Sequence, residues 1–175
     1  MRRWAAGLIL GVCLIASQAF AANSIVVSIS SPPNLGRVVR SASNTVFTVD
    51  TAGGVSQVGT AVRINPTSLL PTTVTVACSG GGHCNSKPII VTITATSATP
   101  ASFTKFAVSN LHCVSGCSSI SFSSGPTITG STLTFSINST GNNTFGFNVG
   151  EDITLAGGAA SGVATFKMNV KAELQ

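Results

Sequence analysis

The sequence predicts an all-β fold, a single-domain antiparallel β-sandwich of immunoglobulin-like or pilin-like type, on three observations. Short runs of apolar residues alternate with Ser, Thr and Asn, which is the two-residue period of half-buried strands, and no run follows a helical period. Gly or Pro clusters separate the runs, as the turns of a sandwich or barrel require. Charged residues make up only 7% of the chain, against roughly 25% in ordinary soluble domains. With 43% apolar residues the chain is too hydrophobic for a disordered one, so its outward positions are filled by Ser and Thr.

The first stretch reads as a targeting signal. Arg2 and Arg3 precede an apolar run from Trp4 to Ala16, and Ala19-Phe20-Ala21 supplies a small-residue cleavage site. Residues 1–21 are therefore expected to be a cleaved signal peptide, and 22–175 a single exported domain located in the periplasm, at the cell surface or outside the cell. The apolar run is short for a bilayer span, and no second run is long enough, so no transmembrane segment is expected after cleavage. Without Arg2 and Arg3 the formal charge of +5 falls to about +3, scattered along the chain. That pattern excludes a nucleic-acid partner.

Each strand can be justified in order. Ile25, Val27 and Ile29 alternate with Val26, Ser28 and Ser30 until Pro32-Pro33 ends the first run. Leu35 to Val39 and Thr45 to Asp50 follow, then Gly53-Gly54 turns the chain and Thr60 to Ile64 is expected to return. Thr73 to Cys78 and Ile89 to Ala95 are clean strands on either side of Gly80-Gly81-Gly82. The segment from Phe103 through Cys113 and Cys117 to Phe122 is irregular. Leu133, Phe135 and Ile137, the polar stretch Asn138 to Asn143, and Phe145, Phe147 and Val149 read as a hairpin. Glu151-Asp152 is expected to be the polar entrance to a further short strand, Ile153 to Leu155, with a turn at Gly157-Gly158. The last strand, Gly162 to Gln175, puts Phe166, Met168, Val170, Ala172 and Leu174 on one face and Lys167, Lys171 and Glu173 on the other. Its register is well specified, because a one-residue slip would bury those charges.

The succession Leu-Gly-Arg-Val-Val (35–39), Thr-Val-Phe-Thr-Val-Asp (45–50), Gly-Gly-Val (53–55), Phe-Asn-Val-Gly (147–150), Ile-Thr-Leu (153–155) and the closing Gly-Val-Ala-Thr-Phe (162–166) resembles secreted bacterial proteins of the domain of unknown function 4402 family. More distantly it is similar to spore-coat-protein-U and fimbrial-subunit proteins. The resemblance implies a surface or extracellular structural module, fimbria-like, with no assigned activity. The chain differs from a typical fimbrial subunit in having no Tyr, and so no penultimate aromatic on its last strand.

Cysteines and histidines are the residues with most chemistry. Cys13 leaves with the leader, and Cys78, Cys84, Cys113 and Cys117 remain, an even count that predicts two disulfides in an exported chain. Pairing is either local, Cys78 with Cys84 and Cys113 with Cys117, or crossed between the two regions. Gly80 to Gly82 and Gly116 let the short loops fold back and favour local pairing. His83-Cys84 and His112-Cys113 also offer zinc ligands, but the spacings are not those of standard zinc sites and an oxidising compartment consumes thiols, so no metal and no cofactor are expected. No G-x-S-x-G elbow is present, and four acidic residues leave little for acid-base work, so no catalytic residue is assigned and the chain is not expected to be an enzyme. Glu151 and Asp152, adjacent on a strand, would point to opposite faces rather than share a calcium ion.

Ile25, Val27 and Ile29 suggest a partner. Directly after the cleavage site, an alternating strand of this kind either pairs within its own sheet or adds to an identical or related subunit as a donor strand. A secreted structural or surface-associated protein is thus expected, a fimbria-like subunit or an adhesin component, with a soluble periplasmic or extracellular binding module as the alternative. A membrane β-barrel is disfavoured by the absence of Tyr and by the sole Trp lying in the leader.

Overall fold

The computed structural model describes residues 24–31, 34–39, 41–64, 69–79, 87–99, 103–139, 144–158 and 162–175. The predicted signal peptide, His83 and Cys84 lie outside the described residues. In chain order the strands are β1 (Ser24–Ser30), β2 (Asn34–Val39), β3 (Thr45–Val49), β4 (Val55–Val58), β5 (Val62–Ile64), β6 (Thr72–Ser79), β7 (Pro88–Thr99), β8 (Phe103–Ser115), β9 (Ile120–Thr129), β10 (Thr132–Ser139), β11 (Thr144–Leu155) and β12 (Gly162–Leu174). A single 3-10 turn, Cys117–Ser119, joins β8 to β9. The described chain is all-β.

Two six-stranded sheets contain these strands, and every pairing is antiparallel. One sheet has the order β5-β2-β12-β7-β10-β9. The other is built on β11, which holds β8 along one edge and divides its other edge between two neighbours. Residues Thr144 to Val149 pair with β6, which carries β1, and Glu151 to Leu155 pair with β3, which carries β4. The sheet therefore forks at Gly150.

The inner faces of the sheets meet in a common core. Val74, Val76, Phe145, Phe147 and Val149 from the forked sheet pack with Ile89, Val91, Ile93, Leu133, Phe135 and Ile137 from the other. The rings of Phe135 and Phe147 meet edge to face across the layers, 5.1 Å between centroids. A second cluster, with Leu35, Val38, Phe47, Val49, Ile153, Leu155 and Phe166, fills the other end. Strict alternation of buried and half-buried residues along β3 and β10 is what the pleat demands of strands with one face on a core.

Three features differ from the sequence expectation. β10 and β11 do not form a hairpin: they lie in different sheets and face one another across the core. Alternation reports which face of a strand is buried and is silent on its lateral neighbour, so two strongly alternating runs look alike whether they pair or oppose. The strand returning from the Gly53-Gly54 turn is β4, not Thr60 to Ile64, because the chain breaks at Gly59 (φ 126°) and β5 crosses to pair with β2. Glu151-Asp152 is not a turn entrance, since β11 runs unbroken from Thr144 to Leu155.

The irregular segment resolves into two long strands of different character. β8 pairs with β11 with three register shifts, which explains its poor alternation. β9 is exposed along nearly its whole length, and Pro126 on it suits an edge strand. The last strand is central only at its start: Phe166 is buried, whereas Met168, Val170, Ala172 and Leu174 are half-buried.

Candidate functional site

β1 and its surroundings form the region on which the predicted donor-strand residues fall. The strand pairs with β6 over seven positions, from Ser24↔Ser79 to Ser30↔Thr73. Ile25, Val27 and Ile29 point inward and pack on the main core cluster, while Ser24, Val26, Ser28 and Ser30 are exposed. Beyond them, Met168, Val170, Ala172 and Leu174 of β12 also pack on that cluster. Cα atoms of β1 and β12 come within 8 Å of each other, yet no ladder links the two strands. Neighbouring strands sit roughly 4.8 Å apart, so a further strand would need a gap of about twice that, and β1 fills the seam itself.

At the end of β1 the backbone turns sharply. Ser31 has φ 53°, alone among the described non-glycine residues in being positive, and this left-handed region is unfavourable for a residue with a Cβ. Its carbonyl accepts a hydrogen bond from the Thr72 hydroxyl at 3.0 Å. Thr72 opens β6 and is buried.

Glu151 stands beside Thr72, across the fork from it. It shares the inward phase of Phe145, Phe147, Val149, Ile153 and Leu155, and it is fully buried. Neither carboxyl oxygen has a hydrogen-bond partner of acceptable geometry. Burial raises its pKa from 4.5 to about 7, and the nearby Thr72 side chain offsets this only in part. A hydroxyl has one hydrogen to give, and the Thr72 hydrogen is directed at Ser31. The sequence held a signal for this site: Glu151 is in phase with five apolar inward residues. Sequence reasoning placed it at a turn because a carboxylate in a core strand is rare.

On the opposite face of the same strand, Asp152 accepts a hydrogen bond from Thr48 at 2.7 Å. The two neighbouring carboxylates thus diverge, as a strand requires. Asp50 accepts from the amides of Ala52 and Gly54, both at 2.8 Å, and shapes the β3–β4 turn.

Cys113 and Cys117 form a disulfide, Cα atoms 5.8 Å apart, which rules out pairing crossed between the two cysteine regions. Cys78 is also disulfide-bonded; Cys84, its expected partner, lies outside the described residues. His112 is exposed on β8 opposite Asn148, next to a cysteine whose sulfur is already bonded. Among the described residues no group of three or more His, Cys, Asp or Glu side chains could hold a metal ion. A shallow cavity of about 320 Å³, lined by Pro88, Ile90, Ser124, Thr134, Ser136 and Gln175 among others, lies beside the exposed strand β9. No helix of the described residues is long and apolar enough to cross a membrane.

No protein-family model, curated protein or solved structure matches the chain.

Proposed function

We propose that this chain is a secreted structural component of a bacterial surface, an immunoglobulin-like or pilin-like sandwich without catalytic activity, that joins identical or related subunits through β1. The observation that carries this reading is the way β1 is held. It has one ladder, to β6, and three half-buried side chains, Ile25, Val27 and Ile29, in a seam whose other wall, β12, offers it no ladder. A strand held in that way can be replaced by an equivalent strand from another copy, with the same seven-residue register and the same three contacts. The exported leader read from the sequence and the likeness of its motifs to fimbrial subunits support the same reading. The apolar inner face of β1 explains why the strand is kept in place when no partner is present.

Size-exclusion chromatography with light scattering tests it, on protein starting at Ala22 and on a version lacking Ala22 to Ser31. Oligomers that collapse to a folded monomer on deletion are the expected result. A monomer that the deletion unfolds would mean that β1 serves only its own domain. The cavity beside β9 favours a second reading, a soluble binding module that does not self-assemble. That reading gains if the processed protein is monomeric at every concentration.

A further inference from the structure

Glu151 is the one ionisable residue buried in the described core, and three observations connect it to β1. Its carboxyl oxygens are buried without a hydrogen-bond partner, and it stands two residues along β11 from Val149, whose lateral partner is Thr72. Thr72 gives its hydroxyl hydrogen to Ser31. Ser31 closes β1 in a left-handed conformation that needs support from its surroundings. The Thr72 hydroxyl therefore has two acceptors, a carbonyl and a carboxyl, and one hydrogen.

We propose that Glu151, Thr72 and Ser31 form a proton-operated latch on β1. With Glu151 protonated, its O–H is donated to the Thr72 oxygen and the Thr72 hydrogen is free to hold the Ser31 carbonyl. With Glu151 ionised, the hydroxyl turns to the carboxylate, the stronger acceptor, and the end of β1 loses its donor. A buried carboxylate left without a donor is costly, and that cost drives the switch.

Nothing charged competes for this role among the described residues. On β3 and in its turn, Asp50 is occupied by backbone amides, and on β11 itself Asp152 faces the other way toward Thr48. On β8, His112 is exposed and Lys105 pairs with Thr154, which is in the opposite phase of β11 from Glu151; β6 carries no charged residue. From the opposite sheet, Arg37 is exposed, Arg63 reaches the Leu35 carbonyl, and Lys167, Lys171 and Glu173 face solvent. Proton uptake by Glu151 is therefore governed by its burial, and the transition falls near neutral pH, where export from one compartment to another can change it.

The latch rests on the reading of β1 as a releasable strand, and its test is made on the monomer so that the two can fail separately. Hydrogen exchange is measured by mass spectrometry from about pH 6 to about pH 8, corrected for the intrinsic pH dependence of exchange. Peptides covering Ser24 to Ser31 report on the latch, and peptides from β10 serve as the control. Protection of β1 is expected to fall about tenfold further than that of β10 across this range, the equivalent of one hydrogen bond, with β10 recording the loss of stability common to the whole fold. Glu151→Gln, which keeps a donor and an acceptor and never ionises, should show high protection throughout. Thr72→Val should show low protection at every pH. A flat wild-type profile, the same fall in Glu151→Gln or Thr72→Val, or an equal fall in β10 would each overturn the latch. The last outcome would mean that Glu151 acts only on the stability of the whole fold and not on β1. Subunit assembly is not read in this experiment, so a chain that never oligomerises leaves its result standing.

Discussion

Asn148 donates its side-chain amide to the carbonyl of Thr51 at 2.9 Å. Its amide oxygen accepts from the Thr73 hydroxyl at 2.8 Å. Thr51 follows β3 and Thr73 lies on β6, so one side chain ties together the two strands that part at the fork in the sheet. Asn148→Ala should cost about 1–2 kcal/mol, two neutral hydrogen bonds in a half-buried setting, read as a lower urea midpoint with unchanged slope. Asn148→Asp keeps the acceptor for Thr73 and loses the donor to Thr51, and should fall between.

Stability should decline as pH rises, because Glu151 titrates at about 7 in the fold against 4.5 when unfolded. Between those values the folded chain holds a proton that the unfolded chain has released, so its contribution is complete below about pH 4.5 and lost by the time pH passes about 7. The span corresponds to about 3 kcal/mol. Urea unfolding at intervals across this range measures it, and Glu151→Gln should remove most of the slope. A wild-type slope of the opposite sign would contradict the burial of this carboxyl.

Phe147→Ala should be among the most damaging substitutions, at about 3–5 kcal/mol, since it empties a fully buried position in contact with Phe135. Phe122 also touches Phe135, at 5.9 Å between centroids, but is 46% exposed. Phe122→Ala should cost well under half as much, and a pair of thermal melts separates the two.

Two glycines with positive φ should respond differently to alanine. At Gly53 (φ 85°) a Cβ would collide with the carbonyl oxygen of Leu69, while at Gly130 (φ 62°) it would meet open space. Gly130→Ala should cost only the backbone penalty, about 1–2 kcal/mol. Gly53→Ala adds a displacement of the 69–71 segment and should lose considerably more, as chemical denaturation would show.

Opening the Cys113–Cys117 bridge by a double Ser substitution should cost about 2 kcal/mol, the closure entropy of a very short loop. The loss should be read as a lower urea midpoint, with any additional local loss of protection confined to the end of β8 and the following 3-10 turn.

The strands and their buried faces were legible because a pleat imposes period two on any run with one face in a core. Ile25, Val27 and Ile29 pointed inward as the alternation required, and so did the odd-numbered residues of β11. Lateral neighbours were not legible. Phe135 and Phe147 signal burial equally well as partners in one sheet or as opponents across two, and only the fold distinguishes these cases. Glu151 was misplaced for a related reason: its position in the period indicated burial, its charge indicated a turn, and the period prevailed. Thr72 and Ser31 carried no sequence signal, since a hydroxyl on a strand and a serine before proline are common and acquire meaning only through contact.

The division of β11 between two partners has a mechanical consequence. Val149 belongs to one apolar cluster and Ile153 to the other, while Met168 of β12 packs against both. Neither end of the molecule can come apart without disturbing a strand that the other end depends on, so tension applied at one end is shared by the whole. The line along which such a load crosses from one cluster to the other passes through Gly150 and Glu151, where the lateral partner changes. Under a pulling force, yielding would begin there.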